Sequence, residues 1–125
     1  MRFALISLAA ALPLAACASG GTQMVENGVP RGSLAVAALE RGDFARAEKL
    51  LLTSTLPSDD PARLINLGHV YMEQGRRAEA LAAWRAALAS PRHRVVETMA
   101  GSEVRTDALA RAALARHQAS FASNR

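Results

Sequence analysis

The chain has 125 residues, a formal net charge of +4 and a single cysteine, which limits it to one domain without an internal disulfide. Half of the residues are hydrophobic, but 28 are alanine and only 4% of the chain is aromatic. This composition favours helices with a thin core. It excludes a β-sandwich, a large catalytic domain and a disulfide-stapled mini-protein.

The first sixteen residues have the pattern of a secretory signal peptide. Arg2 supplies a positive start, and an apolar stretch of ten residues runs from Phe3 to Leu12. That stretch is too short to span a bilayer. The segment Leu14-Ala15-Ala16-Cys17 follows it and resembles the lipobox of bacterial lipoproteins. The alternative is an ordinary cleavage site that happens to precede a cysteine.

The lipobox resemblance implies that Cys17 becomes the first residue of the mature chain and carries covalent diacylglyceryl and acyl groups. Ala18 follows the cysteine, as in lipoproteins that are sent to the outer membrane. The resemblance therefore implies a lipid-anchored protein of the bacterial cell envelope, on the periplasmic face of the outer membrane. Nucleic acid is not expected as a partner there. The positive charge suits anionic lipid headgroups or an acidic protein.

Residues 17–32 are rich in Ser, Gly, Thr, Asn and Pro and lack an apolar period, which predicts a lipidated cysteine followed by a flexible tether. Two similar segments follow, because Gly42–Leu51 aligns with Gly75–Trp84 at an offset of 33 residues. Such a period, with a glycine-containing turn between two helical stretches, is typical of helical-hairpin repeats. We therefore predict two hairpins over residues 33–94.

The second hairpin, residues 61–94, has large and small side chains at characteristic positions. Small residues at Gly68 and Ala80 let two antiparallel helices approach closely, and Pro91 ends the second helix. The positions that carry the pattern are Leu64, Leu67, Gly68, Tyr71, Ala80, Trp84 and Ala87. This pattern resembles a tetratricopeptide repeat. The resemblance implies an all-α array of about two antiparallel hairpins with a groove for a protein partner.

The first hairpin is a degenerate copy whose opening helix is predicted to begin near Ser33, with that residue as N-cap. Residues 95–105 are predicted to be a linker with a short β excursion. Residues 106–122 then predict a C-terminal helix, capped by Thr106, that covers the open end of the second repeat. Its apolar face comprises Leu109, Ala110, Ala113, Leu114, His117 and Phe121, and Arg105, Arg111 and Arg116 fall on the other side.

Positions that line the inner groove of tetratricopeptide proteins fall here on a mainly apolar set. They are Val36, Leu39, Glu40, Ile65, Asn66, His69, Met72 and Glu73. The resemblance implies a groove for a partner segment, either an amphipathic helix or an extended peptide. The alternative is that the C-terminal tail fills the groove. The arginine pairs Arg76-Arg77 and Arg92/Arg94 are predicted to be solvated loop charges.

His69 and Glu73 are four residues apart and share one face of a helix, the spacing of half a metal or acid–base site. A solvated pair is the favoured interpretation, because such a site needs further converging ligands. We predict no catalytic residue, no metal and no cofactor beyond the lipid. The predicted function is a non-catalytic, lipid-anchored assembly or scaffold factor that binds another envelope protein. The alternatives are a pilot lipoprotein for a secretin or pilus system, and a metal-binding module or small enzyme that uses His69 and Glu73.

Overall fold

The structure is a computed structural model that describes residues 32–122, with side chains as far as Gln118. The predicted signal peptide, Cys17, the tether up to Arg31 and the side chain of Phe121 lie outside the described residues. The described elements are α1 (Val36–Glu40), α2 (Phe44–Leu52), α3 (Pro61–Glu73), α4 (Arg77–Ala89), β1 (Val95–Glu97), β2 (Glu103–Arg105) and α5 (Thr106–Ala122). The predicted helical array of two hairpins and a C-terminal helix is confirmed.

Two helices begin at an aspartate that caps the free backbone N–H groups of the first turn. The carboxylate of Asp43 accepts a hydrogen bond from the Arg46 N–H at 3.1 Å, and Asp60 accepts one from the Arg63 N–H at 3.0 Å. Pro61 follows Asp60 at the start of α3, where its missing N–H costs no hydrogen bond. These caps explain why α2 and α3 begin where they do.

Glycines allow the chain to reverse direction within both hairpins. Gly42, between α1 and α2, has a φ of 68°, and Gly75, between α3 and α4, has a φ of 76°. Residues with a side chain rarely adopt this left-handed conformation. The two glycines occupy equivalent places, which is the structural basis of the repeat period in the sequence.

The first helix is shorter than predicted. The prediction of a helix start near Ser33 with that residue as N-cap is wrong, because α1 begins at Val36. The preceding residues form a turn, closed by a hydrogen bond of 3.1 Å from the Ala35 N–H to the Gly32 carbonyl. Ala35 itself has a φ of 54°, and this left-handed residue separates the turn from the helix. Ser33 lies buried in the turn.

Small side chains dominate the core, so the helices pack at close range. The larger apolar cluster joins α1 to α4 and contains Ala35, Ala38, Leu39, Ala47, Leu51, Leu67, Val70 and Ala83. A second cluster joins α4 to α5 and contains Ala80, Trp84 and Leu114. Helix α5 therefore covers the end of the second hairpin. Among the helices of residues 32–122, none is long and apolar enough to cross a membrane.

Arg63 joins the two hairpins through the backbone. Its guanidinium donates hydrogen bonds to the carbonyls of Leu51 at 2.8 Å and Leu52 at 3.2 Å, which lie at the end of α2. It also donates to the carbonyls of Leu56 and Pro57, each at 3.3 Å. These bonds satisfy carbonyls that have no partner within a helix. They fix the loop between α2 and α3.

Arg76 is not the solvated loop charge that the sequence predicts. Its guanidinium forms ion pairs with Glu48 of α2 at 2.6 Å and Glu79 of α4 at 2.5 Å. It also lies 4.3 Å from the centre of the Tyr71 ring, in a cation–π contact. The hydrogen bond from Arg76, with a second from Gln74, holds the pKa of Glu48 below its ordinary value of 4.5.

The lowered pKa of Glu48 predicts an acid-dependent loss of stability. The Glu48 carboxylate takes up a proton at a lower pH in the folded chain than in the unfolded chain. Its contribution to the free energy of unfolding is therefore fully present above the unfolded pKa and is lost as the pH falls through the folded pKa. We expect the Glu48→Gln variant to melt a few degrees below wild type at about pH 7, and we expect this difference to shrink as the pH falls below 4.5, the ordinary pKa of the carboxyl group. Circular-dichroism melts across this pH range test the prediction. A melting difference that does not change with pH would contradict it.

Candidate functional site

A groove of about 460 Å³ lies along one side of the array. Its walls come from the three helices α1, α3 and α5. The lining side chains from these helices and from the turn before α1 are Leu34, Val36, Leu39, Ala62, Ile65, Asn66, His69, Leu109, Ala112, Ala113, Arg116 and His117. Trp84 of α4 also contributes, and residues 96–100 of the β-hairpin complete the lining.

The predicted partner groove is brought together in part. Val36, Leu39, Ile65, Asn66 and His69 all line the groove. The other predicted residues, Glu40, Met72 and Glu73, lie outside its lining. Met72 packs instead against the cluster of Trp84 and Leu114, because α5 covers that part of α3. Glu40 and Glu73 are exposed to solvent.

Two polar side chains from α3 have different roles in the groove. The Asn66 amide donates a hydrogen bond of 2.9 Å to the Leu34 carbonyl and so fixes the turn before α1. His69 is exposed, with its ring edge-on to Phe44 at a centroid distance of 6.0 Å. Within the described side chains, no group of three or more His, Cys, Asp or Glu residues could hold a metal ion. The pair His69 and Glu73 thus gains no further ligand there.

Trp84 forms the base of the groove and decides how α3 and α4 pack. A Cβ atom added at Gly68 would stand less than 3.0 Å from three atoms of the Trp84 indole. The indole N–H donates a hydrogen bond of 3.2 Å to the Ile65 carbonyl. The His117 ring stacks on the Trp84 ring, with the ring centroids 5.0 Å apart and an interplanar angle of 17°. The prediction paired Gly68 with Ala80, whereas the residue that fills the space over Gly68 is Trp84.

The remaining repeat positions lie between α3 and α4 or at their edges. Leu67, Gly68, Ala80, Trp84 and Ala87 are buried. Leu64 and Tyr71 are half-buried. The small residues on α4 bring its backbone close to α3, while the large ones fill the remaining space.

The β-hairpin is a groove element that the sequence analysis did not identify as one. Strands β1 and β2 pair antiparallel, with Val96 opposite Val104. The hairpin's residues 96–100 then line the groove. The β-inclined sequence indicated an excursion, but no local signal indicates the direction in which it points. Arg116, predicted on the face of α5 away from the apolar side chains, also lines the groove.

Ion pairs connect the base of the hairpin to the start of α3, and the prediction of a solvated charge is wrong for Arg94, which pairs with a buried carboxylate. The Arg94 guanidinium makes two hydrogen bonds to the Asp60 carboxylate, at 2.6 and 3.1 Å. The Asp60 side chain is only 5% exposed. Arg92 pairs with Asp59 at 2.9 Å, but both of these side chains are largely exposed. The buried pair is the one that fixes the hairpin.

The Thr106 hydroxyl helps to attach the hairpin and does not serve as the predicted N-cap of α5. Its hydroxyl oxygen accepts a hydrogen bond of 3.2 Å from the Arg94 N–H and lies 3.1 Å from Nδ1 of His93. Nε2 of His93 lies 3.1 Å from the Leu88 carbonyl. A carbonyl only accepts, so Nε2 carries a proton. The chain between α4 and α5 is thereby bonded to both helices.

Removal of the Arg94 side chain is expected to destabilise the fold strongly. In Arg94→Ala the Asp60 carboxylate stays buried without its cation, which costs on the order of 3 kcal/mol. The exposed pair of Arg92 and Asp59 provides the matched control, because Arg92→Ala is expected to cost less than about 1 kcal/mol. Urea unfolding followed by circular dichroism measures both. Equal losses in the two variants would contradict the prediction.

Residues 61–90 match the family model described as Tetratricopeptide repeat. The second hairpin is similar to a tetratricopeptide repeat. The matched residues cover α3 and α4, which carry Gly68 and Trp84. This match supports a protein–protein interaction module of a typically non-catalytic class. No curated protein and no solved structure matches the chain.

Proposed function

We propose that the protein is a lipid-anchored component of the bacterial cell envelope that binds another protein through the groove and acts in assembly or as a scaffold. The observation that carries this proposal is the open groove of about 460 Å³ between α1, α3 and α5. The narrower proposal of a pilot lipoprotein for a secretin or pilus system rests on the same architecture and stays a prediction.

The chemistry of the groove favours a peptide partner over a small polar ligand. Most of the lining is aliphatic or alanine, including Val36, Ile65 and Leu109. These side chains gain free energy when an apolar partner removes them from water, at about 25 cal/mol per Å². A central buried anchor surrounded by weaker contacts is the usual arrangement of such interfaces. Ile65, which lines the groove and is half-buried, offers that anchor point.

The proposed anchor at Cys17 determines where binding takes place. The described domain begins at Gly32, and the intervening residues span at most about 50 Å when fully extended. Lipid on Cys17 therefore keeps the groove close to one membrane surface. The partner, in turn, is expected at that membrane or within reach of it.

Photo-crosslinking from single positions in living cells tests the proposal. We place a photo-reactive phenylalanine analogue at Ile65 or at Ala112, which both line the groove, and at Leu52 as a matched exposed position outside it. We expect the two groove positions to yield the same crosslinked protein and Leu52 to yield none of it. Identical products from all three positions, or none from the groove, would contradict a binding role for the groove.

A further inference from the structure

We propose that the β-hairpin is a binding element of the groove and that the groove takes a short extended segment of a partner protein, apolar along its length, with one carboxylate beside Arg116. This inference rests on the proposed function. It adds the conformation of the bound segment, its charge and a residue outside the helical hairpins, Met99, that recognises it.

The tip of the hairpin presents an apolar side chain to the groove. Met99 lines the groove and is 56% exposed, more than Leu52 at 52% or Val95 at 48%. A methionine side chain is flexible and polarisable, so it adapts to different apolar partners. Val96 of β1 and Ala100 lie in the same wall. The hairpin thus adds apolar surface that a bound segment can cover.

The hairpin wall is held at its base and internally bonded at its tip. A two-stranded hairpin alone is marginally stable, but the pair of Arg94 and Asp60 fixes this one to α3. At the tip, the Thr98 N–H donates to the Ser102 carbonyl at 2.9 Å and the Gly101 N–H donates to the Thr98 carbonyl at 2.8 Å. Because the hairpin is already ordered, it loses little conformational entropy when a partner binds.

The narrowness of the groove favours an extended segment over a helix. A helix is about 10 Å wide, and two of its turns occupy roughly 800 Å³, so in a groove of about 460 Å³ much of the helix would lie outside the walls and only one face would be buried. A single extended strand is about half as wide, so the groove walls can contact it on both sides.

The charged side chains of the groove determine the charge that the bound segment carries and the end of the groove at which that charge lies. Arg116 and Glu97 are its charged lining residues apart from the histidines. Neither forms an ion pair within 4.0 Å among the described side chains. Glu97 lies across the hairpin from Glu103, so a further carboxylate is disfavoured there. A carboxylate of the partner is therefore expected at the Arg116 side, where it accepts charge-assisted hydrogen bonds.

Peptide selection on the chain from Ala18 to Arg125, which keeps every described residue, tests this inference. The probe is a phage-displayed library of random heptapeptides, followed by synthetic copies of the selected peptides in calorimetric titrations. We expect the wild-type chain to select consecutive apolar residues next to Asp or Glu. Apolar residues spaced three and four apart, as on a helix, or no selection at all, would overturn the inference.

Charge reversal gives the sharpest readout. Arg116→Glu is expected to select Lys or Arg in place of the acidic residue and to bind the wild-type peptide about tenfold or more weakly. Arg111→Glu, on the same helix but outside the groove lining, is the matched control and is expected to keep the wild-type preference. An unchanged preference in Arg116→Glu overturns the predicted carboxylate.

Met99→Ala tests the hairpin itself. We expect this variant to bind the peptide selected by the wild-type chain about tenfold more weakly, since burial of a Met side chain contributes at least about 1.5 kcal/mol. Leu52→Ala, an equally exposed apolar site outside the groove, is expected to change binding less than about twofold. Equal affinities for Met99→Ala and wild type remove the hairpin from the binding surface.

A groove-filling variant separates this inference from the proposed function. Ala112 is exposed and lines the groove, so Ala112→Trp fills the groove with little cost to folding. If Ala112→Trp abolishes peptide binding while Met99→Ala and Arg116→Glu do not affect it, the inference fails and the proposed function stands. If Ala112→Trp leaves peptide binding unchanged, both fail.

Two further outcomes assign the groove to another occupant. Selection that succeeds only after residues 18–31 are removed would show that this segment occupies the groove. A dimer in sedimentation that Ala112→Trp dissociates would assign the groove to a second copy of the chain. Either result overturns a partner segment as the occupant.

Discussion

Gly68→Leu is expected to unfold the protein, and even Gly68→Ala is expected to destabilise it. Alanine normally stabilises a helix relative to glycine by roughly 0.5–1 kcal/mol. Here the new Cβ would stand less than 3.0 Å from the Trp84 indole, which is 3% exposed and cannot move aside. Overpacking of this kind costs about 1–3 kcal/mol for one added group, and a branched side chain adds several more atoms. Domains of this size have only about 5–15 kcal/mol of stability in total.

The cause can be isolated with a second substitution at Trp84. Trp84→Leu lowers stability by itself, but it removes the ring that meets the new Cβ. In that background Gly68→Ala is therefore expected to be neutral or stabilising, a reversal of sign measured as a coupling energy in a double-mutant cycle. Ala86→Leu, at an exposed position of α4, controls for the larger side chain. Equal destabilisation by Gly68→Ala in both backgrounds would mean that the contact with Trp84 is not the reason.

The second hairpin could be predicted because its determinants are local. Asp60 followed by Pro61 starts α3, Gly75 reverses the chain, and the spacing of Gly68 and Trp84 is fixed by two regular helices. Helical periodicity places such residues without knowledge of the rest of the fold. The exact partner of Gly68 was missed, since the reach of a tryptophan side chain depends on its rotamer and not on its position in the repeat.

The first helix could not be predicted in the same way, because its start is set from a distance. The Leu34 carbonyl receives its hydrogen bond from Asn66, which lies 32 residues later in the sequence. This bond fixes the turn from which the left-handed Ala35 leads into α1. A cap at Ser33 satisfies local preferences equally well, so the tertiary contact decides between the two starts.

The same distinction explains which groove residues the sequence revealed. Val36, Ile65 and His69 follow from the resemblance to a tetratricopeptide repeat, which assigns groove positions within α1 and α3. Arg116 and Met99 do not, because their positions depend on how α5 and the hairpin pack on the second repeat. That packing rests on contacts such as the one between Arg94 and Asp60, which are 34 residues apart. Arginine pairing of this kind has no local sequence signal.

Cys17→Ser is expected to abolish membrane attachment and leave the fold unchanged. Under the proposed anchor, Cys17 carries acyl chains whose insertion contributes about 0.8 kcal/mol per buried methylene. Serine cannot form the thioether, so no diacylglyceryl group is attached. The first described residue, Gly32, lies fifteen residues after Cys17 in the chain, and the intervening residues are the predicted tether. Far-ultraviolet circular dichroism and the melting temperature of the purified variant should therefore equal those of wild type.

Labelled palmitate and cell fractionation measure the attachment directly. Wild type should incorporate the label and remain with membranes, whereas Cys17→Ser should take up no label and accumulate as a larger precursor or in soluble form. Ser19→Ala, two residues away, keeps the cysteine and should behave as wild type.

In a detergent extract the Cys17→Ser groove should still bind its partner, but function in the cell should fail because the two no longer share a membrane surface. A wild-type chain without label, or mature Cys17→Ser that still fractionates with membranes, would refute the lipid anchor and leave the groove proposal intact, because that proposal depends on α1, α3, α5 and the hairpin.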